Sequence, residues 1–304
     1  MSRVAAIDCG TNSIRLLIAD IEGANFREVY RTMEIVRLGQ GVDKNKRFEP
    51  AAIERTLTAV ADFSTEIARR GVTALRFCAT SATRDAENRS LFIDGVKGIL
   101  GVEPEVISGD EEARLSFTGA VRELQPSDGP FLVIDIGGGS TEFVFGESEV
   151  SAAKSVNIGC VRMSERHFSQ LPPSRAAIAA ALADIDQAID IAAQVVPITS
   201  AATVVAVAGT ATTVAAAALD LSAYDRYSIH LARIPATRVH EISESFLAMN
   251  RDEIAALGYM HPGRVDVISA GSLVLDRVLQ RCGAREFVAS ESDILDGMAW
   301  SIAR

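Results

Sequence analysis

Short apolar runs at 3–8, 14–20, 26–31 and 74–79 predict β-strands in the first third of the chain. Between Pro50 and Gly71 the apolar spacing lengthens to a helical period. Proline at the start and glycine past the end bound a helix over 51–70. A second helical stretch covers 85–100, and a third runs from near Asp110 to about Leu124. Proline and glycine then interrupt both periods over 125–130, which reads as a linker. Strand patterns restart at 131–136, 141–146 and 150–157. Pro172-Pro173-Ser174 introduces an alanine-rich helix to about Val195. Strand 203–208 leads into Gly209-Thr210 and another helix. Thr237 is placed to cap a helix to about Asn250, and Pro262 to open a long helix to Cys282. Strand 286–289 and a helix from about Ser292 finish the chain, with Ile294, Leu295, Met298, Ala299 and Ile302 on one apolar face. Strand-rich starts followed by alternating helices imply α/β layers.

The pattern also repeats itself. Residues 7–19 and 134–146 are each an apolar strand ending in aspartate, a small-residue loop and a second apolar strand. At a shift of 127, Asp8 falls on Asp135, Gly10 on Gly137 and Ser13 on Ser140. Glycine lets backbone amides approach an anion closely, so each hairpin tip is a candidate phosphate cradle. Two such tips predict two similar domains facing each other across a phosphate-binding cleft.

Composition adds limits. The 304 residues suffice for two cores, and 48% hydrophobic with 23% charged residues is ordinary for a globular protein. No apolar run reaches the ~18 residues of a membrane span. Met1-Ser2-Arg3-Val4 runs straight into a strand, which gives the expectation of a cytoplasmic protein. Four scattered cysteines offer no paired zinc ligands. A net charge of −10 argues against nucleic acid as the partner. Only 4 of the 30 basic residues are lysine; arginine suits phosphate, although a composition bias explains the ratio as well.

The sharpest chemical signal is 134–142. Gly137, Gly138, Gly139 and Ser140 offer consecutive amides, while Asp135 and Glu142 flank the loop as oxygen ligands for a hard cation such as Mg²⁺. In the first copy Thr11 and Asn12 replace two glycines, Asp8 is a candidate water-mediated metal partner, and Arg15 stands where Glu142 stands in the second. Arg15 can neutralise phosphate or simply form an ion pair. Gly209-Thr210 is a third loop of the same type, at a helix start that attracts anions. The stretch 79–88 contains Arg84, and 108–114 opens a helix with Glu111-Glu112, which reads either as dipole stabilisation or as a general base. No Walker loop or His-Glu-x-x-His is present, and all four histidines lie outside the glycine loops.

Taken together, five motifs resemble the exopolyphosphatase and guanosine pentaphosphate phosphohydrolase (Ppx/GppA) family of the actin-like ATPase superfamily. They are Asp8 to Ser13, Thr80 to Asn88, Ile107 to Arg114, Asp135 to Glu142 and Gly209-Thr210. The resemblance implies two duplicated ribonuclease H-like domains, 1–124 (joined by the C-terminal helix 290–304) and 125–289. It implies Glu112 as the base that activates water, with Glu142 assisting. Asp135, Glu142 and Asp8 become the Mg²⁺ carboxylates. Gly10, Thr11, Asn12, Ser13, Arg84, Gly137, Gly138, Gly139, Ser140, Gly209 and Thr210 become phosphate contacts. The family's last helix usually begins near Arg-Glu-Gly; here Asp296-Gly297 stands in its place, so no role is carried over for that arginine. Many relatives have a helical C-terminal extension, and a chain stopping at Arg304 is expected to be a two-domain form. The implied substrate is inorganic polyphosphate or guanosine pentaphosphate, with homodimerisation as a further expectation. An ATP-dependent kinase and a non-enzymatic nucleotide switch are the alternatives; Glu111-Glu112 speaks against the first, and the set of Glu112, Asp135 and Glu142 against the second.

Overall fold

A computed structural model describes residues 2–302. The chain divides into two compact units, Met1–Gly119 with Ile294–Arg304, and Ala120–Asp293.

The first unit contains β1 (Ser2–Cys9), β2 (Ser13–Glu22), β3 (Asn25–Ile35), α1 (Val42–Asn45), α2 (Pro50–Arg69), β4 (Ala74–Ala79), α3 (Ser81–Asp85), α4 (Arg89–Leu100), β5 (Glu105–Val106) and α5 (Gly109–Val121). The sheet order is β3-β2-β1-β4-β5, with β1 antiparallel to β2 and parallel to β4. Central β1 is buried from Val4 onward, as a strand covered on both faces must be. Its alternation sends Ala5, Ile7 and Cys9 to a core with Ala59, Val60, Phe77 and Phe92. Val4 and Ala6 go to the other face, with Leu115 of α5 and the last helix. By the same alternation Asp8 lies on the α5 face.

The second unit contains β6 (Phe131–Ile136), β7 (Thr141–Gly146), β8 (Val150–Val156), α6 (Cys160–His167), α7 (Arg175–Ala193), β9 (Thr203–Val207), α8 (Ala208–Ala218), α9 (Arg226–Ile229), β10 (Arg233–Pro235), α10 (Ala236–Ala248), α11 (Arg251–Ala255), α12 (Ile268–Cys282) and β11 (Glu286–Ala289). Its sheet order is β10-β11-β9-β6-β7-β8. Leaving out edge strand β10, both sheets have the order 3-2-1-4-5 with strand 2 antiparallel to strand 1. That is the ribonuclease H-like plan, built twice. The units differ in the crossover before their last strand: α3 and α4 in the first, α8 to α12 in the second. Leu132, Ile134 and Ile136 face the core with Ile185, Ile189 and Val214, which leaves Asp135 on the opposite face beside Val133.

The final helix, α13 (Ile294–Ile302), belongs to the first unit. Ile294, Leu295, Met298 and Ala299 are buried against Val4, Ala6, Leu17 and Cys78, and Ile302 packs at the edge. Each large apolar side chain contributes about 1.5–3 kcal/mol. Asp296-Gly297 has a structural part here. Asp296 accepts from Arg31 Nη2 of β3 at 2.6 Å. Gly297 touches the Leu115 carbonyl so closely that no Cβ fits.

Several boundaries differ from the sequence expectation. The helix expected over 85–100 is two helices, broken at 86–88, where the Asn88 side chain bonds both Phe48 N–H and Phe48 C=O. Thr237 lies inside the first turn of α10, whose cap is Pro235. Pro262 opens only a 3₁₀ turn (Pro262–Arg264) before α12. The unit boundary falls at Gly119/Ala120, ahead of the 125–130 segment. Proline and glycine mark where backbone regularity stops, whereas the boundary marks where packing partners change, and α5 carries the chain across that point as a helix. No helix among the described residues is long and apolar enough to cross a membrane.

Candidate active site

The triple-glycine tip is held from behind. Gly137 N–H donates to Ser140 C=O at 3.0 Å and closes the hairpin. That amide is therefore engaged within the loop rather than offered to a ligand. The carbonyls of Gly137, Gly138 and Gly139 all accept from the start of α6. Cys160 N–H reaches Gly137 C=O at 2.9 Å, and Val161 and Arg162 N–H reach Gly138 C=O at 2.9 and 3.1 Å. Gly159 N–H reaches Gly139 C=O at 3.3 Å and Arg162 Nε reaches it at 2.7 Å. In a planar trans peptide the next N–H points opposite to the C=O. The amides of Gly138, Gly139 and Ser140 therefore all project away from α6, the arrangement of an anion nest. Gly159 must be glycine, because a Cβ there would collide with the backbone of Gly138 and Gly139.

Asp135 and Glu142 are register partners across β6 and β7, so both side chains stand on one face. Both are buried, and Glu142 Oε1 accepts from Ser155 Oγ at 2.6 Å. Among the described residues no group of three His, Cys, Asp or Glu side chains gathers as a complete metal site. A magnesium ion needs only one or two carboxylates when substrate oxygens and water complete its shell. Opposed buried carboxylates have the hard-oxygen chemistry for such an ion, whose charge would offset their mutual repulsion.

The first tip uses the same construction with different parts. Gly10 N–H donates to Ser13 C=O at 2.9 Å. Gly39 N–H holds Thr11 C=O at 2.8 Å, and Val36 and Arg37 N–H hold Asn12 C=O at 3.1 and 2.9 Å. The amides of Asn12 and Ser13 thus point away from the 36–39 segment. Arg37 adopts a left-handed φ of 49° to make its bond, a strained conformation for a non-glycine residue. Here Asp8 pairs across the ladder with Arg15, whose Nη2 and Nε donate to Asp8 Oδ2 at 2.7 and 3.1 Å. Of the two roles open to Arg15, the ion pair is the one observed. Asp8 is consequently a charge-matched carboxylate.

Thr11 Oγ1 and Ser81 Oγ share a hydrogen bond of 2.9 Å, which joins this tip to the 80–85 segment. Arg84 Nη1 donates to Glu112 Oε2 at 2.8 Å and to Ile107 C=O at 2.9 Å. Among the described residues its Nε and Nη2 make no protein hydrogen bond, so donors remain for an anion. The acidic pair is divided: Glu111 faces Arg76, half-exposed, whereas Glu112 is buried beside Arg84. Position in the first turn of α5 and the Arg84 pair both favour an ionised Glu112.

In the second unit Gly209-Thr210 joins the glycine loop through α12. A Cβ on Gly271 would lie 2.6 Å from Thr210 Oγ1 and 3.0 Å from Cys160 Cβ, so glycine there lets the starts of α6 and α8 converge. Ala208, just before this loop, has a left-handed φ of 67°. Arg264 leans over Gly209, where a Cβ would lie 2.7 Å from its Nη2, and donates from Nη1 to Thr213 Oγ1 at 2.8 Å. Burial pushes the Cys160 thiol above its usual pKa, against the opposing Thr210 hydrogen bond and Arg264 charge. Burial and nearby Asp8 raise that of Cys9. Neither thiol is a thiolate nucleophile at neutral pH.

The structure thus brings the predicted residues together in two sets. Asp8, Gly10 to Ser13, Arg84 and Glu112 form one in the first unit. Asp135, Gly137 to Ser140, Glu142 and Gly209-Thr210 form the other in the second. The sequence reading missed Gly39, Gly159, Arg162 and Arg264, which support these loops from distant segments. Ile158-Gly159-Cys160 directly after a strand was the available signal, a glycine where a helix begins.

The Ppx/GppA phosphatase family profile matches residues 17–303. The chain is 45% identical over 316 residues to exopolyphosphatase 2 of Mycobacterium tuberculosis, covering 100% of this chain and 99% of that protein. It is 36% identical over 180 residues to a guanosine-5'-triphosphate,3'-diphosphate pyrophosphatase of Aeromonas salmonicida, covering 59% of this chain and 36% of the relative. A solved structure of an exopolyphosphatase-like protein superposes with a TM-score of 0.96 at 44% identity, covering 99% of this chain and 97% of the other.

Proposed function

The chain belongs to the Ppx/GppA phosphatase family, and from that premise we propose that it is an exopolyphosphatase releasing orthophosphate from the end of inorganic polyphosphate. The observation that carries this reading is the full-length 45% identity to an exopolyphosphatase. The first unit supplies Glu112 as base. It takes a proton from water as the water oxygen bonds to the terminal phosphorus, and the bridging P–O bond breaks to leave a shortened chain. Arg84 keeps Glu112 ionised, at some cost in basicity, and offers its remaining donors to the phosphoryl oxygens. The amides of Asn12 and Ser13 and the side chain of Thr11 add donors, while Asp8 acts through Arg15.

The second unit supplies Gly138, Gly139 and Ser140 amides, with Gly209 and Thr210 at a further helix start, as donors for charge that develops during transfer. Asp135 and Glu142 would hold Mg²⁺, which when bound neutralises phosphate charge. Glu142 also has the position to orient water. Positioning and charge carry most of the rate enhancement in phosphoryl transfer.

Phosphate release from polyphosphate and from guanosine pentaphosphate, measured side by side with Mg²⁺ and with EDTA, tests the reading. Release from polyphosphate that EDTA abolishes is expected. Release from neither substrate overturns the hydrolase assignment. Release from the nucleotide alone selects the second reading, a guanosine pentaphosphate 5'-phosphohydrolase, which the likeness to the Aeromonas salmonicida relative favours.

A further inference from the structure

Arg162 is a buried cation on α6, only 6% exposed. Burying a guanidinium is unfavourable unless its donors are satisfied. One of them is satisfied by a backbone carbonyl of the glycine tip: Nε donates to Gly139 C=O at 2.7 Å, a charge-assisted bond. The backbone bonds to this tip are uneven. Gly138 C=O takes two amides at 2.9 and 3.1 Å, whereas Gly139 C=O takes one, at 3.3 Å. Of the three glycine carbonyls of the loop, that of Gly139 is therefore the one held least by backbone amides. The corresponding carbonyl in the first unit, Asn12 C=O, is held by two backbone amides at 3.1 and 2.9 Å. An arginine side chain is thus used at the tip carbonyl whose backbone anchoring is weakest.

We propose that Arg162 is a positioning residue that fixes the 139–140 peptide so that the Ser140 amide faces the terminal phosphoryl group. The proposal rests on the reading that the 137–140 loop binds phosphate. Without Arg162 the peptide turns, an amide donor is replaced by a carbonyl oxygen, and the polyanion is repelled at that position.

The test uses the full chain labelled with ¹⁵N-glycine and ¹⁵N-serine, titrated with tripolyphosphate in EDTA, alongside kinetics with Mg²⁺ and thermal unfolding. In the wild type the amide resonances of Gly138, Gly139 and Ser140 shift. In Arg162→Met the Ser140 shift is lost while that of Gly138 persists, and KM for polyphosphate rises about tenfold. In Arg162→Lys the Ser140 response is intermediate. Arg162→Gln, which keeps a shorter donor, replaces Arg162→Met if the latter does not fold. A folded Arg162→Met protein with wild-type KM and an intact Ser140 shift overturns the proposal. A general structural role would lower the unfolding temperature without singling out Ser140. Absence of any loop response in the wild type, under conditions where tripolyphosphate binds, removes the loop reading itself; that outcome is distinct because it needs no variant.

Discussion

The two hairpin tips share a backbone plan and differ in charge. In each, the glycine after the strand closes the turn onto a serine carbonyl, and a segment following the third strand grips the tip carbonyls. Each also has a glycine that packs against the tip: Gly39 against Thr11, and Gly159 against Gly138 and Gly139. Yet at the same ladder position the first tip pairs Asp8 with Arg15, and the second sets Asp135 opposite Glu142. One aspartate is balanced within its hairpin; the other stands beside a second carboxylate. Duplication supplies the frame, and a single register position sets either an arginine or a second carboxylate across from the aspartate.

This division of labour can be broken at several points. Glu112→Gln should lower kcat by roughly 10²–10⁴ in phosphate-release assays with little change in unfolding temperature, because the amide keeps the shape and loses the base. Near-normal turnover would remove Glu112 from that role. Asp135→Asn should lower kcat/KM by about 10²–10³ and reduce the Mg²⁺-induced rise in unfolding temperature, whereas Asp8→Asn should leave that rise largely intact. Equal effects from the two variants would erase the distinction between the tips.

Smaller effects separate the supports. Gly159→Ala forces a Cβ onto the backbone of the second tip, while Gly39→Ala meets the side chains of Thr11 and Ala82. Overpacking of this kind costs about 1–3 kcal/mol. Chemical denaturation should place Gly159→Ala at the upper end, with a larger rise in KM.

The smallest effect concerns pH and lies away from both tips. In the first unit the Arg3 hydrogen bond, aided by Arg27, lowers the Asp20 pKa from 3.8 to about 2 against the opposing effect of burial. A depressed carboxyl pKa stabilises the fold above the unfolded value and loses that contribution as pH falls through the folded one. Asp20→Asn should therefore flatten the loss of stability between about pH 4 and pH 2. In acid-unfolding curves, an unchanged slope there would count against the Arg3–Asp20 pair.

Much of this site was legible in the sequence because its signals are local. An aspartate at a strand end, glycines in a row and an acidic pair at a helix start each act within a few residues. What was not legible depends on segments far apart in the chain. Arg84 and Glu112 each stood out, but their pairing follows from the parallel β4–β5 arrangement that brings 84 beside 107 and 112. Arg162 and Arg264 sit in helices and turns with no distinguishing local pattern, and their value lies in which carbonyl or hydroxyl they reach. Thr237 and Pro262 illustrate the reverse: sound local signals that tertiary packing displaced by a few residues.

The return of α13 to the first unit fixes an order of events during synthesis. A nascent chain that has emerged only through Gly119 has Leu115 for the face of Val4, Ala6 and Leu17 but lacks Ile294, Leu295, Met298 and Ala299. The second unit is continuous in sequence and is complete before 294 leaves the ribosome, so it is the part able to fold first. The amino-terminal sheet waits with one apolar face only partly covered until α13 arrives to complete its seal.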